Sequence, residues 1–194
     1  MLSSIHPLGE RARHNRWTVT VGAFTVGALA SGAAVGILLG ATGSMALSLD
    51  RDALLVSTAV VALVAGVLDL TGVKAPGPNR QVNETWIGAF RGWVYGGGFG
   101  LELGLGFATY IVTWGVYATF LAATLTASAV GGALVGATFG IGRSLSVVAA
   151  GYVDRPTRLT TFHRTLADAG PIVRSTSSAS FAALGLVVLV GAML

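Results

Sequence analysis

Five stretches of this chain run for roughly 20 residues or more with almost no charge, the length an α-helix needs to cross the ~30 Å hydrocarbon layer of a bilayer. They cover about residues 17–43, 53–73, 92–125, 129–152 and 177–194. A chain patterned in this way cannot cover a water-soluble surface. Of its 194 residues 53% are hydrophobic and 10% are charged, where soluble domains carry about a quarter charged. Its 28 glycines suit helices whose backbones approach closely in lipid. The expected fold class is an all-α integral membrane protein with five transmembrane helices. Its expected location is the plasma (inner) membrane, as a multi-pass protein forming a single membrane domain.

Orientation follows from lysine and arginine, which collect on the cytoplasmic side. Arg11, Arg13 and Arg16 precede the first run; Lys74, Arg80 and Arg91 flank the second link; Arg143, Arg155, Arg158, Arg164 and Arg174 flank the fourth. Of the twelve basic residues, only Arg51 falls on the other side. The sequence therefore predicts a cytoplasmic N-terminus, cytoplasmic links over 74–91 and 153–176, and a C-terminus outside. The first run is too long for a signal-peptide core and is expected to stay in the mature protein. Trp86 is placed as the anchor of a short interfacial helix within 80–91, and Asp154-Arg155-Pro156 as a helix start. The third run is longer than a crossing requires, and Gly96-Gly97-Gly98 predicts a tilted, kinked or partly unwound start.

The residue inventory excludes several chemistries. With no cysteine there is no disulfide, thiol relay or thiolate metal site. His6, His14 and His163 share no ligand-like spacing, and no metal site or cofactor is expected. Gly96 to Gly106 lacks the lysine and the strand-to-helix context of a phosphate loop. The net charge of +4 is accounted for by topology, so nucleic acid is not an expected partner. No nucleophile–base pair suggests an enzyme.

One internal similarity stands out. Gly32-Ala33-Ala34-Val35-Gly36-Ile37-Leu38-Leu39-Gly40 and Gly132-Ala133-Leu134-Val135-Gly136-Ala137-Thr138-Phe139-Gly140 agree at five of nine positions. The shared residues include three glycines at four-residue spacing, which smooth one face of each helix for packing. The two runs would cross in opposite directions, so the sequence predicts an incomplete inverted repeat.

With the stretch from Gly96 to Gly151 and the Asp50-Arg51-Asp52 link, this pattern resembles the CcdA/DsbD transmembrane family. The resemblance implies two inverted three-helix halves, here without the first helix and without the redox cysteines. Thiol–disulfide exchange needs two sulfurs, so the resemblance implies a non-catalytic subunit or assembly partner of a membrane complex.

Few residues remain to carry function. Glu102 lies within the third run, where a carboxylate is costly and turns toward a cavity or a partner; it reads either as a cation-coupled site or as a packing residue. Arg143 is its expected ion-pair partner, and Asp69 is expected to reach the headgroups by snorkelling. Tyr110, Trp114 and Tyr117 recur at helical spacing and outline an aromatic pocket or an ordinary packing stripe. The second functional expectation is a small secondary transporter or exporter using Glu102. The expected partners are the lipid bilayer and another membrane protein or a second copy of the chain.

Overall fold

In the computed structural model, which describes residues 5–46, 50–78, 85–109, 111 and 113–193, every apolar run forms helix. The helices are α1 (Pro7–Ala12), α2 (Trp17–Ala46), α3 (Arg51–Leu70), α4 (Trp86–Ala89), α5 (Gly92–Leu105), α6 (Gly115–Leu125), α7 (Ala129–Ala149) and α8 (Pro156–Met193). A single 3-10 turn, Ala150–Tyr152, follows α7. Three of these, α2, α3 from Asp52 onward, and α7, are long and apolar enough to cross a membrane.

Helix α2 is the centre, and its surface is inverted relative to a soluble helix. Gly27, Gly32, Gly36, Gly40 and Gly43 are buried, whereas Val26 and Leu38 are 66% and 67% exposed. Small residues inside and large apolar residues outside is the arrangement that lipid favours, because hydrocarbon solvates leucine as well as protein does. One α2 face meets α7 in antiparallel sense. A Cβ built on Gly32, Gly36 or Gly40 would overlap the backbone carbonyl of Gly136, Gly132 or Ser128 respectively. The reciprocal overlaps hold for Gly132, Gly136 and Gly140 against Gly36, Gly32 and Ala28. The matched glycine stripes therefore lie on one another. A second α2 face meets α5 in parallel sense, with Gly96 on Thr20, Gly100 on Phe24 and Gly104 on Ala28.

Bulky residues fill the end where α2 and α5 start and α7 finishes. Ile5, Val21, Phe24, Tyr95, Phe99 and Val147 form one buried cluster, flanked by Trp17, Trp86, Ile87 and Leu103. Helices α3 and α8 form a second antiparallel pair through Gly66 against Ser178 and Ala182, and Gly185 against Ala59 and Leu63. Asp50 caps α3, its Oδ1 accepting from the Ala53 N–H at 2.8 Å. Ser128 caps α7, its Oγ accepting from the Gly131 N–H at 3.3 Å. Both satisfy amides that a helix start leaves without partners.

One expectation, about the third run, requires correction. The run 92–125 contains two helices, α5 and α6, and the interruption falls between Leu105 and Gly115 rather than at Gly96–Gly98, which are helical. Helix α5 stops because Gly106 adopts φ 77°, a left-handed conformation that glycine takes without Cβ strain. The link 153–176 is largely helical: α8 begins at Pro156 and continues through Gly170 and Pro171 into the last apolar run. The interfacial helix is the four-residue α4, with Trp86 stacked on Phe99 at 6.2 Å between ring centroids; residues 79–84 lie outside the described residues.

Candidate functional site

The interruption between α5 and α6 organises a polar site among apolar helices. Breaking a helix at membrane depth frees backbone groups that lipid cannot solvate, so neighbouring protein must satisfy them. Asp69, on the last turn of α3, does this for α6. It is only 4% exposed, and its Oδ1 accepts from the Trp114 N–H at 2.9 Å. The Thr113 Oγ1 accepts from the Gly115 N–H, also at 2.9 Å. A carboxylate at the start of α6 is favoured further by the positive end of the helix dipole. The expectation that Asp69 snorkels to the headgroups is corrected: its side chain is buried as a cap.

Trp114 and Tyr117 fasten the chain that leaves α3. The Trp114 Nε1–H donates to the Val73 carbonyl at 2.9 Å, and the Tyr117 hydroxyl donates to the Pro76 carbonyl. Their rings lie 5.6 Å apart. Tyr110, the third member of the suggested stripe, lies outside the described residues.

Arg143 of α7 is the main polar group of this region. Its Nη2 donates to the Thr109 Oγ1 at 3.4 Å, and its guanidinium carbon sits 5.4 Å from the Phe139 ring centroid, a cation–π distance. Its Nη1 is buried without a hydrogen-bond acceptor among the described residues. The side chain lines a groove of about 850 Å³ bounded by α3, α6, α7 and α8, together with Thr58, Thr119, Thr138, Phe139 and Phe181. The threonine hydroxyls there donate within their own helices, to the carbonyls of Leu54, Gly115 and Leu134. Arg143 thus brings the free donor to an otherwise apolar groove. The arrangement has the chemistry to accept an anion or a carbonyl-like acceptor on an apolar body.

Glu102 is elsewhere. Gly100 and Gly104 turn one face of α5 onto α2, and two residues correspond to about 200° of helix rotation, so Glu102 falls on the opposite face. It is partly exposed, and no described residue hydrogen-bonds or ion-pairs with it. The expected Arg143–Glu102 pair is not formed, because Arg143 engages Thr109 and Phe139 instead.

A second polar cluster escaped the sequence reading. Glu10 of α1 is fully buried. It accepts from the Thr20 Oγ1 at 2.7 Å and from the Tyr95 hydroxyl, and pairs with Arg13 at 3.1 Å. Asn15 donates to the Tyr95 oxygen at 3.4 Å. Gly92 leaves the space for this: a Cβ there would meet Thr20, Asn15 and Glu10. The N-terminal segment is therefore docked across the starts of α2 and α5. Its sequence signal was faint, a single glutamate among arginines.

No protein-family model and no solved structure matches the chain. Among curated proteins it is similar to methylamine utilization protein MauF of Paracoccus versutus, 34% identical over 152 residues, covering 75% of this chain and 55% of the relative. MauF of Paracoccus denitrificans is 35% identical over 129 residues, 66% of this chain and 44% of the relative. MauF of Methylorubrum extorquens is 32% identical over 124 residues, 63% of this chain and 42% of the relative. The chain spans about half the length of the curated relatives it matches. These matches overturn the resemblance to the CcdA/DsbD family, and with it the expected role as a subunit of that kind and the alternative of a Glu102-based transporter. That likeness rested on glycines and apolar residues, which close helix packing in lipid imposes on unrelated bundles.

Proposed function

We propose that the chain is a multi-pass protein of the plasma membrane that serves methylamine utilization as an accessory protein, by binding rather than by making or breaking bonds. The observation that carries this reading is its similarity to three MauF proteins, over as much as 75% of the chain. The site chemistry supports it: a guanidinium with a free buried donor in an apolar groove is equipped to hold a molecule, and intramembrane charges of this kind mark function.

In this reading the chain crosses the membrane five times from a cytoplasmic N-terminus. Helices α2, α3 and α7 make three crossings, α5 and α6 together make a broken one, and the apolar end of α8 makes the last. The antiparallel meetings of α2 with α7 and of α3 with α8 support an incomplete inverted repeat, since a two-fold axis in the membrane plane generates both. The partners are the bilayer and another membrane protein or a second copy of the chain, received at the Arg143 groove.

Growth tests the proposal. A strain lacking this chain should fail on methylamine as nitrogen source and grow normally on ammonium. The wild-type chain and Glu102→Gln should restore growth. Arg143→Met, an apolar replacement of similar length that a fold commonly tolerates, should reach the membrane in normal amount and fail to restore it. Normal growth of the deletion strain on methylamine would overturn the reading.

A further inference from the structure

A pocket of about 560 Å³ lies at the foot of α2, between α1, the 3-10 turn and the start of α8. Its wall carries three guanidiniums, Arg11, Arg16 and Arg158, beside Trp17 and a single carboxylate, Asp154. Arg158 Nη1 lies 3.0 Å from Asp154 Oδ1 as an ion pair, and this oxygen makes no hydrogen bond among the described residues. The buried acid of this end, Glu10, is engaged by Thr20, Tyr95 and Arg13. Arg11 and Arg16 are exposed, and their guanidiniums hydrogen-bond or ion-pair with no described residue. The pocket thus keeps a surplus of two positive charges.

Three further features favour an anion. The N-terminus of a 30-residue helix closes one side, and the positive end of its dipole attracts negative charge. The Trp17 indole Nε1 is buried and has no acceptor among the described residues, leaving a donor for a ligand to satisfy. The walls are also held in place. The Leu8 N–H donates to the Val153 carbonyl at 3.4 Å, tying α1 to the turn, and Trp17 lies against Gly151, where a Cβ would strike the indole.

We propose that this pocket binds a phosphate group, presented either by the headgroup of an anionic phospholipid or as inorganic phosphate. Guanidiniums recognise phosphate oxygens in forked pairs that a single carboxylate neighbour does not neutralise. Trp17 opens an apolar helix long enough to cross the membrane, and tryptophan at such an end sits at headgroup level. Basic pockets between helices at that level suit phospholipid headgroups.

The test uses the full chain in a neutral detergent, reading the tryptophan fluorescence that Trp17→Phe removes. Dioctanoyl phosphatidylglycerol should bind saturably, and dioctanoylglycerol, which lacks phosphate, should not. Arg11→Gln with Arg16→Gln should weaken binding at least about ten-fold, with the melting temperature unchanged. Inorganic phosphate separates the sources: competition at similar concentration assigns the free anion, and lipid-only saturation assigns the headgroup. If the double variant does not fold, the wild-type chain still decides, because affinity must fall as salt rises from about 0.05 to 0.5 M. Salt-independent binding, equal binding of dioctanoylglycerol, equal binding by a folded double variant, or no saturable binding of either phosphate would overturn the proposal.

Discussion

A carboxylate with no exposed surface is tolerable only when hydrogen-bond donors replace the water it has lost. Glu10 has three: the hydroxyls of Thr20 and Tyr95 and the guanidinium of Arg13. The donors differ in what their loss leaves behind. Arg13 is 35% exposed at its side chain, so water replaces it, and the ion pair is worth less than about 1 kcal/mol. Thr20 and Tyr95 are buried and have no such recourse. Glu10→Ala should therefore destabilise the fold by about 3 kcal/mol, and Arg13→Gln by less than about 1 kcal/mol. Thermal unfolding in detergent measures both. Equal losses would mean that the Arg13 pair, rather than the burial of the hydroxyls, holds α1 in place.

Between elements, the closest approaches are backbone on backbone. At Gly36 and Gly136 a methyl group would collide with carbonyls of the facing helix, which have no rotamer with which to move aside. Gly36→Ala or Gly136→Ala should separate α2 from α7 and cost about 1–3 kcal/mol, the usual range for overpacking. Gly22 and Gly142 lie on the same two helices with nothing within 4 Å of a built Cβ. Alanine there should hold stability or raise it by up to about 1 kcal/mol through helix propensity. The comparison removes composition as an explanation, since all four are glycines in apolar helices. Equal effects at the four positions would mean that the α2–α7 interface is not close-packed.

The same contrast explains what could be read beforehand. Helices α2, α3 and α7 were legible because an apolar run of sufficient length permits little else in a bilayer. The position of the break in the third run was not. Gly106 is one of 28 glycines, and nothing near it marks a stop. What makes the break tolerable is Asp69, 45 residues away, bonding the Trp114 N–H. A tertiary cap leaves no local trace. Arg143 and Glu102 were paired on reach along the sequence, but the pairing depended on which face of α5 the glycines turned toward α2. Four-residue glycine spacing says that a face is smooth, and does not say which helix lies on it. Glu10 was not singled out in the sequence, because its partners, Thr20 and Tyr95, belong to two helices that meet only in the fold.

At the scale of the whole molecule, the basic residues and the helix directions lead to one arrangement. Helices α2 and α5 run in parallel, α7 runs against α2, and α8 against α3. Arg11, Arg13, Arg16, Arg143, Arg155 and Arg158 consequently gather at one end, together with the proposed phosphate pocket. The starts of α3 and α7 lie at the other end, near Asp50 and Ser128. A chain with no cysteine allows this polarity to be tested without background, one introduced thiol at a time. Met45→Cys and Ala129→Cys, both at exposed positions, should react with a membrane-impermeant maleimide applied to intact cells or spheroplasts. Gly88→Cys and Thr157→Cys, also exposed, should react only after the membrane is opened. The Thr157 arm is the more demanding, because α8 continues unbroken from Pro156 to Met193. At 1.5 Å per residue its 38 residues extend about 57 Å, well beyond one hydrocarbon layer. In the proposed topology its first half projects into or along the cytoplasmic surface, where Arg158 pairs with Asp154 and lines one pocket with Arg16. Labelling of Thr157→Cys from outside would place the joined ends of α7 and α8 outside, and would remove the phosphate pocket from the side on which its arginines are expected.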